Sequence, residues 1–128
     1  MAIYGIGTDI VEVARIQASL GRGQGLAKRI LTEQEFEQMQ GDPSPDHYLA
    51  KRFAAKEACA KAFGLGIAEG LSFQNMEVTH DQWGKPSWQF TGTAAKLLEE
   101  RAITASHLSI SDEKNYAVAT VILETDGS

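Results

Sequence analysis

A single cysteine, Cys59, is all the thiol chemistry available to this chain of 128 residues. One cysteine excludes an internal disulfide, and with no Cys/His cluster at ligand spacing a zinc site is not expected. In its Ala-rich surroundings Cys59 reads as a small buried packer rather than a nucleophile. No apolar run is long enough to cross a bilayer. The opening MAIYGIGTDI lacks a basic region followed by an apolar stretch, so a signal peptide is not expected and a cytoplasmic protein is. Low-complexity tracts, internal repeats and linker-like composition are missing too, which leaves one domain over 1–128.

Excess positive charge is also lacking: the net charge of −5 argues against a general polyanion binder. The two halves differ. Residues 1–61 carry eight Lys/Arg and eight Asp/Glu, whereas residues 62–128 carry four and nine, so the whole acidic excess lies in the second half. Between Val13 and Leu31 acids vanish altogether, while Arg15, Arg22, Lys28 and Arg29 remain. A basic segment on an acidic protein is either a solvated helix face or a docking surface for one specific anionic partner.

The Ile- and Val-rich stretch 2–13 predicts a strand, and Gly5 and Gly7 within it imply close approach of another element. Residues 14–30 read as one or two short helices broken by Gly21, Gly23 and Gly25. Thr32 with Glu35 is a capping-box pair that predicts a helix over 33–40, ended near Gly41 and Pro43. A longer helix is expected from about Tyr48 to Phe63, followed by a glycine-rich loop over 64–70. The second half reads as strands at 72–80, 86–91, 107–111 and 116–124, with a helix at 93–102 that turns Leu97 and Leu98 inward. DQWGK and DEKN supply hairpin turns. Helices and strands mix without a regular βαβ alternation, so the expected fold is α+β with an antiparallel sheet.

Two places carry unexpected charge. In FAAKEACAKAFG (53–64) the apolar residues cannot share one stripe, so this helix should be buried around much of its circumference. Glu57 and Lys61 stand four apart on one face, either as an intrahelical ion pair on the solvated side or as a functional pair. Lys56 points about 100° away and either contacts a ligand or pairs on the surface. Asp9 interrupts an Ile/Val strand, as a structural acid or as a metal ligand. GIGTDI does not fit the dinucleotide-binding glycine fingerprint.

Taken together, GIGTDIVEVARI, LAKRFAAKEACAKAFGLGIAEGLSF, GKP (84–86) and YAVATVILE resemble the holo-acyl-carrier-protein synthases, the short bacterial 4′-phosphopantetheinyl transferases. The likeness runs in order from Ala2 to Glu124, and the pairing of GTDI with F-x-x-K-E-A-x-x-K-A-F-G carries it. It implies transfer of 4′-phosphopantetheine from coenzyme A to a serine of apo acyl carrier protein, release of adenosine 3′,5′-bisphosphate and a place in fatty acid biosynthesis. It further implies that Asp9 and Glu57 bind Mg²⁺, an ion that takes few protein carboxylates beside substrate oxygens and waters. Glu57, or a metal-bound water it positions, becomes the candidate base, and Lys61 a phosphate contact.

The same resemblance points to Arg52 and His107 for the 3′-phosphate, Lys85 and Pro86 for the nucleotide pocket, and Gly64 and Gly66 for close approach of the loop to the ligand. His107 as a strand-end histidine and GKP as a plain turn stand beside those readings, and Trp83 and Trp88 read as packing residues. Arg15, Arg22, Lys28 and Arg29 gain a candidate partner in the acidic carrier protein. Family members of this length are homotrimers with active sites between subunits. The sequence departs from the family pattern at Cys59, where a small residue is usual, and varies in LSISDEK and around Gly21–Gly25. The rival readings are a non-catalytic coenzyme A or carrier-protein binding module, and a transferase serving a different carrier protein.

Overall fold

A computed structural model describes residues 1–67 and 70–126. The expected loop over 64–70 includes Ala68 and Glu69, which lie outside the described residues. Strand β1 (Ala2–Glu12) leads into two short helices, α1 (Val13–Gly21) and α2 (Gly25–Ile30), parted at 22–24 as the glycines require. Helix α3 (Glu33–Gln40) opens on a complete capping box, with the Thr32 hydroxyl accepting from the Glu35 amide and the Glu35 carboxylate accepting from the Thr32 amide.

The long helix α4 runs Pro45–Phe63 and so starts three residues before the expected Tyr48. Pro45 at its first position is the reason: a proline there forfeits an amide that no helix bond would have used. Gly64 stops the helix in the left-handed conformation, φ 80°. The expected strand over 72–80 is shorter than its sequence indicates. Phe73–Asn75 form a 3₁₀ turn capped by the Ser72 side chain, and β2 is Met76–His80 alone. β2 pairs with β3 (Pro86–Phe90) as a two-stranded antiparallel ribbon. Helix α5 (Gly92–Glu100) follows with Ala94 buried and Leu97 and Leu98 half-buried against the core. β4 (Ile103–Asp112) begins four residues before its expected start, and β5 (Tyr116–Thr125) completes the fold.

β1, β5 and β4 form an antiparallel sheet in that order, with β5 in the middle. Helix α4 lies across β1 and β5, burying Ala54, Ala55, Ala58 and Ala62 against Ala117, Ala119, Val121 and Leu123. The close approach foreseen for the strand glycines is to this helix. A Cβ on Gly5 would stand 1.9 Å from the Ala62 carbonyl oxygen, and one on Gly7 the same distance from that of Ala58. Alanines on one side and glycines on the other let strand and helix backbones touch. Residues 7, 9 and 11 of β1 thereby face α4, while Ile6 and Ile10 point to the other face and are 63% and 62% exposed.

Candidate active site

Two residues beyond Gly7 on the same face of β1, Asp9 is carried to α4 by the glycine contact. Lys61 Nζ donates to Asp9 Oδ1 at 3.0 Å and to the Thr8 carbonyl at 2.9 Å. The alternative of an intrahelical Glu57–Lys61 ion pair is thus replaced by a pair between strand and helix. One turn earlier on α4, half-buried Glu57 opens into a cavity of about 350 Å³ that it shares with Asp9, Glu12, Arg15, Ile16 and Phe53. Burial raises the Glu57 pKa first and the Asp9 charge raises it further, against the opposing pull of Lys61 and Arg29. A carboxylate raised in this way stabilises the fold while protonated, and that contribution is lost as pH rises through the raised value. A cation between the two carboxylates would relieve the strain at neutral pH.

No group of three His, Cys, Asp or Glu able to hold a metal occurs among the described residues. A protein-only cage for calcium or zinc is therefore not what this site provides. Of the three carboxylates on this open cavity Glu12 faces Arg15 at 3.9 Å, and Asp9 and Glu57 fit Mg²⁺, which keeps waters and recruits phosphate oxygens from a substrate. Beside them, Lys61 is 55% exposed at its side chain while its ammonium stays on Asp9 and the Thr8 carbonyl.

The other expected residues lie in three settings. Lys56 neither meets a ligand nor pairs on the surface: it is fully buried, with its ammonium on Glu35. Arg52 is likewise buried, its guanidinium over the Tyr48 ring at 4.4 Å and its Nε 3.9 Å from Glu35 Oε2. In the isolated chain Arg52 therefore presents no exposed cation to a 3′-phosphate. His107 is on β4 opposite Ile122, on the sheet face away from α4, with Nε2 2.6 Å from Glu124 Oε1. It stands on the opposite face from Asp9, so one chain alone does not unite them. Lys85 and Pro86 close the β2–β3 turn, where Asp81 Oδ1 accepts from the amides of Trp83 at 2.8 Å and Lys85 at 2.9 Å. Those amides hold the Asp81 carboxyl below its usual range.

Trp83 overturns the packing expectation, being 84% exposed at the tip of that turn. Trp88 meets it, half-buried and stacked on Phe90 at 5.6 Å between ring centres. Buried Cys59, its thiol pushed far up by burial, is the inert packer that the sequence implies. Of the basic segment, Arg15 lines the Asp9–Glu57 cavity itself, and Arg29 lies over the Phe73 ring at 5.9 Å while acting on Glu57. Arg22 caps α1, and Lys28 borders a separate groove with Leu31, Thr32 and Phe36.

The family model of the 4′-phosphopantetheinyl transferase superfamily matches residues 5–121. The chain belongs to that superfamily. Among the members it resembles, a holo-[acyl-carrier-protein] synthase of Idiomarina loihiensis is 65% identical over 126 residues, 98% of this chain and 100% of the relative. The crystal structure of holo-[acyl-carrier-protein] synthase from Neisseria meningitidis superposes with a TM-score of 0.91 at 47% identity, covering 96% of this chain and 99% of that one. A Bacillus anthracis holo-(acyl-carrier-protein) synthase, solved in complex with CoA (3′,5′-ADP), matches with a TM-score of 0.81 at 39% identity, over 98% of this chain and all of the other. This phosphopantetheinyl transferase thus shares its full length and its α+β architecture with the short synthases.

Proposed function

We propose that this protein transfers 4′-phosphopantetheine from coenzyme A to the serine hydroxyl of an apo acyl carrier protein. The products are the holo carrier protein and adenosine 3′,5′-bisphosphate, and the setting is fatty acid biosynthesis in the cytoplasm. The observation that carries this reading is the convergence of Asp9 and Glu57 on one open cavity, with Lys61 paired to Asp9, in a chain whose relatives include a coenzyme A complex. Mg²⁺ held by Asp9 and Glu57 would neutralise charge on the pyrophosphate and hold it for in-line attack. Lys61 exchanges Asp9 for a phosphate oxygen and balances the charge that develops on it. Glu57 would take the serine proton, directly or through a water that it positions, as the oxygen attacks phosphorus. The bond from the pantetheine-side phosphorus to the bridging oxygen breaks, and that oxygen leaves on adenosine 3′,5′-bisphosphate.

Mass spectrometry tests this directly. Apo acyl carrier protein incubated with the protein, coenzyme A and Mg²⁺ should gain one phosphopantetheine, and excess chelator should abolish the gain. No addition while coenzyme A still binds would favour a binding module instead; addition that survives chelation would remove the metal from the mechanism.

Arg15 supports a carrier-protein surface at the cavity mouth, with Arg22, Lys28 and Arg29 extending it. Arg15→Glu is expected to raise KM for the carrier protein about tenfold or more, and less so at high salt, with the coenzyme A dissociation constant nearly unchanged. Equal damage to both constants would remove the docking role. Lys85, Pro86 and Gly64 are assigned to the nucleotide end of the cleft. The uncovered sheet face, with Ile6, Ile10, Val118 and Ile122 exposed or half-buried, supports a homotrimer. On that face His107 would serve a neighbouring subunit's cleft rather than its own.

A further inference from the structure

Outside the proposed catalytic set, Lys56 and Glu35 form a buried charge pair, with side chains 0% and 1% exposed and Nζ to Oε1 at 2.6 Å, and Arg52 Nε stands 3.9 Å from the other Glu35 oxygen. Lys56 uses all three donors: on Glu35, on the Ile30 carbonyl at 2.8 Å and on the Phe73 carbonyl at 3.0 Å. Glu35 in turn accepts from the Thr32 amide through Oε1 and from the Val78 amide through Oε2, both at 2.9 Å. One ammonium and one carboxylate so gather the end of α2, the start of α3, the 3₁₀ turn, β2 and the middle of α4.

Burying such a pair costs several kcal/mol of desolvation per ion, and apolar side chains of similar volume would often hold the same elements at least as firmly. What the pair adds is direction, because each bond fixes one atom against another. The addresses of those bonds matter. Lys56 directly precedes Glu57 on α4, and Ile30 directly follows Arg29 on α2. The third oxygen belongs to Phe73, whose ring lies under the Arg29 guanidinium. The backbone beside the site carboxylate is thereby pinned to the backbone beside a basic residue of the acid-free segment.

We infer that Lys56 is a positioning residue: its clamp on Glu35, Ile30 and Phe73 sets Lys28 and Arg29 at a fixed offset from Glu57, so that a carrier protein docked on α2 delivers its serine to the cavity. The inference rests on the proposed carrier-protein reading of the basic segment. Lys56→Met alone would strand a buried Glu35 and unfold the protein, so the test is the double variant Lys56→Met/Glu35→Gln, which removes the charge of both residues at nearly constant volume and leaves an amide oxygen to face Arg52. A folded double variant should bind coenzyme A within about twofold of wild type, while KM for apo carrier protein rises about tenfold and kcat falls less than about threefold. An unchanged carrier KM overturns the inference, and so does an equal loss in coenzyme A affinity, the mark of a merely structural role.

Amide exchange in the unaltered protein tests the clamp without any variant. Residues 25–36 should exchange about as slowly as the centre of α4; exchange there about a hundredfold faster means that no clamp holds them. This measurement decides the matter if the double variant does not fold. It is also independent of transfer chemistry, so a failed clamp is distinguishable from a failed assignment of the reaction.

Discussion

Glu57→Gln is expected to lower phosphopantetheine transfer by about a thousandfold or more while leaving the melting temperature within about 2 °C of wild type. The change keeps volume and shape but removes the one charge that completes the carboxylate pair with Asp9 across the cavity. A neutral amide neither holds a divalent cation well nor accepts a proton, so both proposed roles of the residue fail together. Stability should not suffer, because burial and Asp9 already disfavour the charged form of Glu57. The apo protein loses the Asp9–Glu57 repulsion in the exchange. The measurements are the carrier-protein mass shift over time and a thermal melt of the same preparation. Transfer within about tenfold of wild type would sink the assignment of Glu57 to the chemistry.

Gly7→Val should act on the same site from the opposite direction, through the fold. A Cβ there would lie 1.9 Å from the Ala58 carbonyl oxygen, 2.7 Å from the Ala62 amide nitrogen and 2.9 Å from Lys61 Cβ. Two of those neighbours are helix backbone, which cannot rotate out of the way. β1 must therefore lift from α4, taking Asp9 with it. The expected cost is about 3 kcal/mol, at the upper end for overpacking, or roughly 10 °C in melting temperature for a domain of this size. Whatever fraction folds should transfer poorly, since Asp9 and Glu57 no longer share one cavity. A variant with wild-type melting and wild-type activity would show that the strand–helix contact is looser than the glycines indicate.

Much of this arrangement is legible in the residues because local chemistry decides it. Thr32 and Glu35 cap a helix wherever the chain goes afterwards, and two glycines in an Ile/Val strand have few uses other than close packing. The boundaries of α4 and β2 are harder to read, since Pro45 both opens a helix and resembles a loop, and SFQN carries as much polar turn character as strand character. What periodicity cannot supply is the partner of a charge. Lys56 looks like a surface lysine because nothing near it in sequence is acidic and unused; Glu35, its partner, reads in the sequence as a cap alone. The signal is present in combination: a helix buried around most of its circumference cannot leave a lysine on its buried side unpaired. Asp9 and Glu57 are legible only through the family pattern, for a strand carboxylate and a helix carboxylate 48 positions apart carry no spacing rule that joins them.

The middle strand of the sheet is also the last to be made. Ala2 pairs with Thr125 and Glu12 with Tyr116, so β1 emerges from the ribosome with its hydrogen-bonding partner still about a hundred residues away. At ordinary synthesis rates of about 5–20 residues per second, that strand waits on the order of 5–20 s with the backbone edge that β5 will pair still open. α4 reaches the glycine face of β1 midway through that interval and shields one side of it. The paired edge stays open until β5 arrives, and both site carboxylates are translated well before the sheet that carries Asp9 is closed. For a nascent chain of this protein, the hazard is an unpaired N-terminal strand, and the helix bearing Glu57 is its first protection.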